Sequence, residues 1–395
     1  MNPVVKAVAE PRPDGERIVK AEIQLNGLAC DINEIEIKDR TVTGRSMDGD
    51  TVVLMLSEDD DNAFVIPKMK PPAGGGPGGP GGPGGPGGPG GPGGPGGPGR
   101  RPGHVMQERK RNPVEVTAVI PGAGEVVSSL KEEKVIDSFV PGTYKSFSYT
   151  LFSPEIRDGV RYPLVVFIPD ASPNGSDPLL ALSQGIGATV WAEKENQEKR
   201  PCYVLAIEVP KTVHLTNDDF TVAPEYDEIK ELIDRTIAEN RIDAGRIYMT
   251  GQSQGGMSTF EMNVRYPGFL AASLCVSSQW DPVKVGALTE GKFFMSCSEG
   301  GPKEFPGMTA ITEEFRKNGA EVTDIRLNYR DGWETNNAKV REAAEGKEKV
   351  FCVFDRATIW PDNESNHAPM SHHARGWEVT YQMEAAAEWL FSWKQ

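Results

Sequence analysis

From residue 134 to the C-terminus, apolar runs of strand length alternate with stretches of helical periodicity, and this alternation limits the possible folds more than any other feature. The runs fall at 162–168, 202–209, 246–250, 271–277, 292–297 and 349–354. Between them Ile229, Leu232, Ile233 and Ile237 recur at the spacing that lines one helix face, and 177–191, 308–317 and 377–393 read as further helices. Strands that are apolar throughout need cover on both faces, which predicts a doubly wound, mostly parallel α/β sheet.

The preceding part has another texture. Short β-rich runs at 17–25, 34–38, 51–56, 63–67 and 113–120 suggest a small all-β sandwich over 1–130, leaving 131–395 for the α/β domain. Within the first part, Pro recurs at every third position from Pro77 to Pro98, and every other residue after Ala73, up to Gly99, is Gly. Such a tract cannot bury a core and is expected to be disordered or loosely polyproline-like. Since β-like sequence resumes at Pro113, residues 73–112 read as a loop inserted between two strands of the first domain. The basic patch Arg100, Arg101, Arg109, Lys110 and Arg111 reads as its solvated end.

Charge and cysteine usage narrow the function. A net charge of −15 argues against nucleic-acid binding, which needs a basic surface. The five cysteines (Cys30, Cys202, Cys275, Cys297 and Cys352) form no CxxC pair, so neither a disulfide framework nor a zinc knuckle is suggested. No stretch has the length of a membrane span, and the first residues lack the pattern of a secretion signal, so the chain reads as cytoplasmic.

The chemistry concentrates at Gly251-Gln252-Ser253-Gln254-Gly255-Gly256, directly after the strand-like run at 246–250 and before the helix-compatible stretch 257–265. A serine on a sharp strand-to-helix turn needs small neighbours, because the backbone doubles back close to itself. The turn would offer the N–H of Gln254 to a developing oxyanion, and the loop after 164–168 offers that of Ala171. A serine hydroxyl also needs a base, and the base an orienting acid. Of the five histidines, His104 lies in the Gly/Pro-rich part and His214 precedes the nucleophile, where it reads as a substrate contact. His367, His372 and His373 fall between the last strand and the final helix, where the base belongs in the order serine, acid, histidine. His373 is favoured and His372 is the alternative. A metal site from His367, His372 and His373 with Asp362 or Glu364 has no recognised ligand spacing. For the acid, Glu299 follows the 292–297 strand, with Asp281 as the fallback. Trp191, Trp280 and Phe220 are candidates for an apolar pocket wall.

On these residues the chain resembles α/β-hydrolase esterases related to polyhydroxybutyrate depolymerases and to prolyl-oligopeptidase-like peptidases, in particular those with an N-terminal immunoglobulin-like domain. The resemblance covers roughly 134–395 and rests on 243–253, the Gln279-Trp280-Asp281 turn, and His373 ahead of Trp377 and Tyr381. It implies cleavage of a small-molecule ester through an acyl-enzyme, with no metal or organic cofactor. Peptide cleavage and a catalytically silent binding role are the alternatives. The sequence departs from the family where relatives place an aspartate near Gly300 or Gly301 and where many carry His-Gly in place of Asp170-Ala171.

Overall fold

The computed structural model describes residues 2–67, 109–172, 175–361 and 368–395. The Gly/Pro-rich tract, Arg100, Arg101, His104, Asp362, Glu364 and His367 lie outside the described residues.

The N-terminal β region comprises β1 (Val4–Glu10), β2 (Arg17–Gln24), β3 (Glu36–Ile37), β4 (Val42–Asp48), β5 (Thr51–Leu56), β6 (Thr117–Ile120), β7 (Gly124–Val127) and β8 (Leu130–Glu133). One sheet runs β4-β5-β2-β1-β8 and a smaller one β3-β6-β7. Alternation explains the layering: in β2, Ala21 and Ile23 are buried while Lys20, Glu22 and Gln24 are not. The inward residues meet Ile35, Val116 and Ala118 in one small core. Residues 63–67, expected as a strand, instead leave a 3₁₀ turn and touch β2 by a single bridge between Phe64 and Arg17.

The second sheet has nine strands, β9 (Val140–Tyr144), β10 (Phe147–Phe152), β11 (Tyr162–Ile168), β12 (Tyr203–Glu208), β13 (Ile242–Gln252), β14 (Ala272–Val276), β15 (Phe293–Ser298), β16 (Thr323–Leu327) and β17 (Lys349–Phe354). Their order is β16-β17-β15-β14-β13-β11-β12-β10-β9. β11 to β17 pair in parallel, and the β9-β10 hairpin closes one edge antiparallel. β11 is buried at every position because it serves both layers: Val165 and Phe167 enter one core, Leu164, Val166 and Ile168 the other. The chain order reverses around β11, with β12 on one side and β13 on the other. In such sheets, ligands bind beyond the carboxyl ends of the strands at that reversal.

Helices α1 (Leu180–Ser183), α2 (Thr189–Ala192), α3 (Lys194–Lys199), α4 (Tyr226–Glu239), α5 (Gln254–Arg265), α6 (Pro282–Gly286), α7 (Glu304–Lys317), α8 (Gly332–Ala344), α9 (Pro369–Thr380) and α10 (Glu384–Phe391) cover the sheet. The single helix expected at 177–191 is two short ones, because the chain between them packs too closely for regular winding. Gly185 lies against the Pro13 carbonyl and Gly187 against the Phe167 ring. The helix expected at 377–393 is likewise split, into the end of α9 and α10.

A buried ion cluster in the β region reaches the α/β part through hydrogen bonds to Ser183 of α1. Arg111 donates to the carboxylates of Glu16, at 2.9 Å, and Glu133, and both carboxylates are almost fully shielded from solvent. Arg111 is therefore a buried tie, not a solvated end of the basic patch, because its charge is matched by two acids that would otherwise be stranded.

Candidate active site

Ser253 stands between β13 and α5 with φ 52° and ψ −116°, a left-handed backbone that an L-residue adopts only when its surroundings enforce it. The enforcement is visible: its N–H donates to the Val276 carbonyl of β14 at 3.0 Å. Gly255 runs so close to the Ile168 carbonyl of β11 that a Cβ would overlap backbone.

Ser253 Oγ is 2.9 Å from His373 Nε2. His373 is carried by α9 and rests edge-on against Trp377 one turn later, with ring centres 5.1 Å apart. Its Nδ1 is 3.0 Å from Glu304 Oε1. The two atoms face each other short of full hydrogen-bond alignment, and neither bonds to any other group. Glu304 is the first residue of α7 and its side chain is 1% exposed, a carboxylate at the positive end of a helix dipole. The serine and the acid thus come from two separate crossovers and the histidine from the segment after the last strand, all at one end of the sheet.

Two acid candidates fall elsewhere. Glu299 pairs with Arg326 at 2.6 Å across the partly exposed ends of β15 and β16 and accepts from the Arg356 N–H at 3.3 Å. Burial pushes its carboxyl up, but those hydrogen bonds and charges outweigh it and hold the group below the usual range. Asp281 caps α6, accepting from the N–H groups of Val283 and Lys284 at 3.1 and 3.3 Å. The structure sets Glu304 behind His373 in place of both, because Gly300, Gly301 and Pro302 carry the chain back toward α9 before α7 begins. A Cβ on Gly301 would overlap the Glu304 carboxylate.

His372 is turned away from the serine, since successive helix residues point about 100° apart. It is buried, 3.0 Å from Ser298 Oγ through Nδ1 and edge-on to Trp360.

A cavity of about 670 Å³ opens over Ser253. His214, Ala171 and Gln254 line it, as expected for a rim residue and for two candidate oxyanion donors. Trp191 and Trp280 do not. Trp191 is a core side chain that donates to the Gly187 carbonyl at 2.7 Å and packs on Phe391. Trp280 is buried under α5, donating to Glu261 at 2.9 Å and meeting Phe220 edge-on. Both indoles satisfy their N–H inside the protein, which is why they pack inward. The lining instead mixes polar side chains, among them Thr216, Asn217, Gln279 and Lys303, with the apolar Met257, Met370 and Pro302. Ser278 Oγ and Gln254 Nε2 are buried there with no protein partner. Sequence reasoning missed these polar lining residues, although Ser277-Ser278-Gln279 after an apolar strand was a signal, since consecutive polar residues at the carboxyl end of a central strand face the crevice.

Among the described residues no three His, Cys, Asp or Glu side chains cluster as metal ligands would, and no helix is long and apolar enough to cross a membrane. Burial pushes the Cys202 thiol up to about 12, and those of Cys275 and Cys297 well up too, which leaves them unreactive.

A central parallel strand ending in a strained serine, with a histidine beyond the last strand, defines the α/β-hydrolase fold, carried here behind a small N-terminal β region. A solved thermostable esterase superposes on 99% of this chain and 100% of its own, with a TM-score of 0.73 at 20% identity; what the two share is the fold. A ferulic acid esterase matches 46% of this chain and 86% of its own at a TM-score of 0.35 and 16% identity. A putative dipeptidyl aminopeptidase IV from Bacteroides ovatus covers 70% of this chain and 39% of its own at 0.41 and 14%. Neither of these two matches is close enough to add to the fold. No family model and no curated protein matches the sequence.

Proposed function

We propose that the protein is a serine hydrolase that cleaves carboxylic esters of small molecules through an acyl-enzyme. The observation that carries this reading is the continuous line Ser253 Oγ, His373, Glu304, at 2.9 and 3.0 Å, under an open cavity. His373 Nε2 takes the hydroxyl proton as Ser253 Oγ bonds to the ester carbonyl carbon, and Glu304 steadies the imidazolium. The N–H groups of Gln254, at the first position of α5, and of Ala171 hold the oxyanion. Collapse of the tetrahedral species breaks the bond to the alcohol, which leaves with the proton from His373. Water then repeats the sequence and releases the acid. The polar side chains of Asn217, Gln279 and Lys303 in the cavity lining suit an ester bearing hydrogen-bonding groups.

In this reading the N-terminal β region is immunoglobulin-like, and the relatives are esterases of the polyhydroxybutyrate depolymerase type. The test is turnover of a short-chain p-nitrophenyl ester together with labelling of Ser253 by a fluorophosphonate. Wild type should turn over and label, while Ser253→Ala keeps the fold and loses both, a drop of at least roughly a thousandfold in kcat. An unlabelled wild type would mean a silent fold used for binding, and faster cleavage of proline-containing peptide amides than of esters would mean a peptidase.

A further inference from the structure

The loop after β11 is held from the far side by the N-terminal β region. Asp170 Oδ1 accepts from both the N–H and the hydroxyl of Ser172, at 2.8 Å each, and also from Gln184 Nε2. Gln184 Nε2 lies 3.3 Å from Ser172 Oγ as well. Ala171 sits between these two anchored residues. Gln184 in turn follows Ser183, the fully buried last residue of α1. Ser183 Oγ donates to Glu16 at 2.6 Å, its carbonyl accepts from the Glu16 N–H at 2.9 Å, and its Oγ accepts from Arg111 Nε at 2.7 Å. Glu16 and Arg111 both belong to the β region. Ser183 thus hydrogen-bonds both members of a buried ion pair, and this ties the end of α1 to that region.

We infer that Asp170 and Gln184 are positioning residues for the Ala171 N–H, and that Glu16 and Arg111 set their place through Ser183. The inference rests on the reading of Ser253 as nucleophile and Ala171 as oxyanion donor. Its physical basis is the tolerance of such sites: a displacement of about 1 Å in a donor costs on the order of a hundredfold in rate. The β region is then part of the catalytic apparatus without touching substrate.

The experiment measures kcat per fluorophosphonate-titrated site, KM, and inhibition by a trifluoromethyl ketone, whose hydrated adduct carries the oxyanion. Asp170→Ala and Gln184→Ala should lower kcat by roughly ten- to a hundredfold with KM changed by less than about twofold, and weaken the ketone by the same factor as kcat. Asp170→Asn keeps the acceptor oxygen and should recover most of that loss. Ser183→Ala should show the same pattern in smaller measure. A lower Tm in Asp170→Ala and Gln184→Ala, with kcat per site and ketone affinity unchanged, would reduce the network to scaffolding and overturn the inference. Unchanged kinetics in Ser183→Ala alone would overturn the role of the β region. Failure of wild type to label would instead sink the underlying reading.

Discussion

The turn at Ser253 and the turn at Glu304 both leave the carboxyl end of a central strand, yet they are held by opposite means. At the first, backbone meets backbone: Gly255 abuts the Ile168 carbonyl, and Ser253 is forced into φ 52°. At the second, a side chain fills the space that a glycine leaves, with the Glu304 carboxylate lying against Gly301. The first turn therefore demands particular residues at fixed positions. The second sets a looser constraint, that a side chain carry its carboxylate to His373. Glu299 and Glu304 show how unequal two carboxylates become: one side chain is 33% exposed in a surface pair, the other 1% exposed behind the base.

The sharpest way to break this contrast is to neutralise each glutamate in turn. Glu304→Gln should lower kcat by about a hundred- to ten-thousandfold, by the loss seen when a triad acid no longer fixes the histidine tautomer. Glu299→Gln should stay within about twofold of wild type, since a partly exposed pair contributes about 0–1 kcal/mol. Equal effects in the ester assay would erase the distinction. Next come the glycines. Gly255→Ala sets a methyl against backbone and should lose about 3 kcal/mol or more of stability, measured by urea unfolding. Gly301→Ala meets a movable side chain, so it should keep most of its stability while kcat falls by roughly tenfold as the acid is displaced.

A smaller effect is expected at Glu208, at the end of β12, whose carboxylate accepts from the Gly175 N–H at 3.2 Å. Burial, aided by the nearby Asp177 and Asp170, holds its carboxyl well above the usual range. The folded state therefore keeps this proton after the unfolded state has lost it, so Glu208 costs stability increasingly as pH rises through the ordinary glutamate range and beyond. Glu208→Gln should have a higher Tm than wild type at about pH 8, a gap that closes by about pH 4, where the unfolded chain is protonated too.

What was legible in the sequence follows from the same contrast. The parallel core could be read because β11, β12, β14, β15 and β17 are buried at every position and so cannot carry polar residues freely. The hairpin β9-β10 and the edge strand β16 escaped notice because an edge tolerates a mixed pattern, as in Thr323–Leu327 with only Ile325 and Leu327 buried. The serine and the favoured histidine were found through spacing and chain order, and the structure brings them together. Patterning points to Glu299 or Asp281 for the acid, whereas the carboxylate that the structure sets against His373 is Glu304, five residues beyond Glu299, because strand patterning gives where the turn begins but not how far it travels. Trp191 and Trp280 were taken for a pocket wall because hydrophobicity alone cannot tell a cavity lining from a core.

One closure in the β region has a consequence for how this chain can change. The N–H of Asn112 donates to the Val65 carbonyl at 2.7 Å and its side-chain amide to the Phe64 carbonyl at 3.5 Å, so the chain departs and returns side by side. These contacts fix where the chain leaves and rejoins the β region. Arg111 is the residue next to Asn112, so a change that shifts this closure would pull Arg111 away from Glu16 and Glu133 and leave two buried carboxylates without their cation.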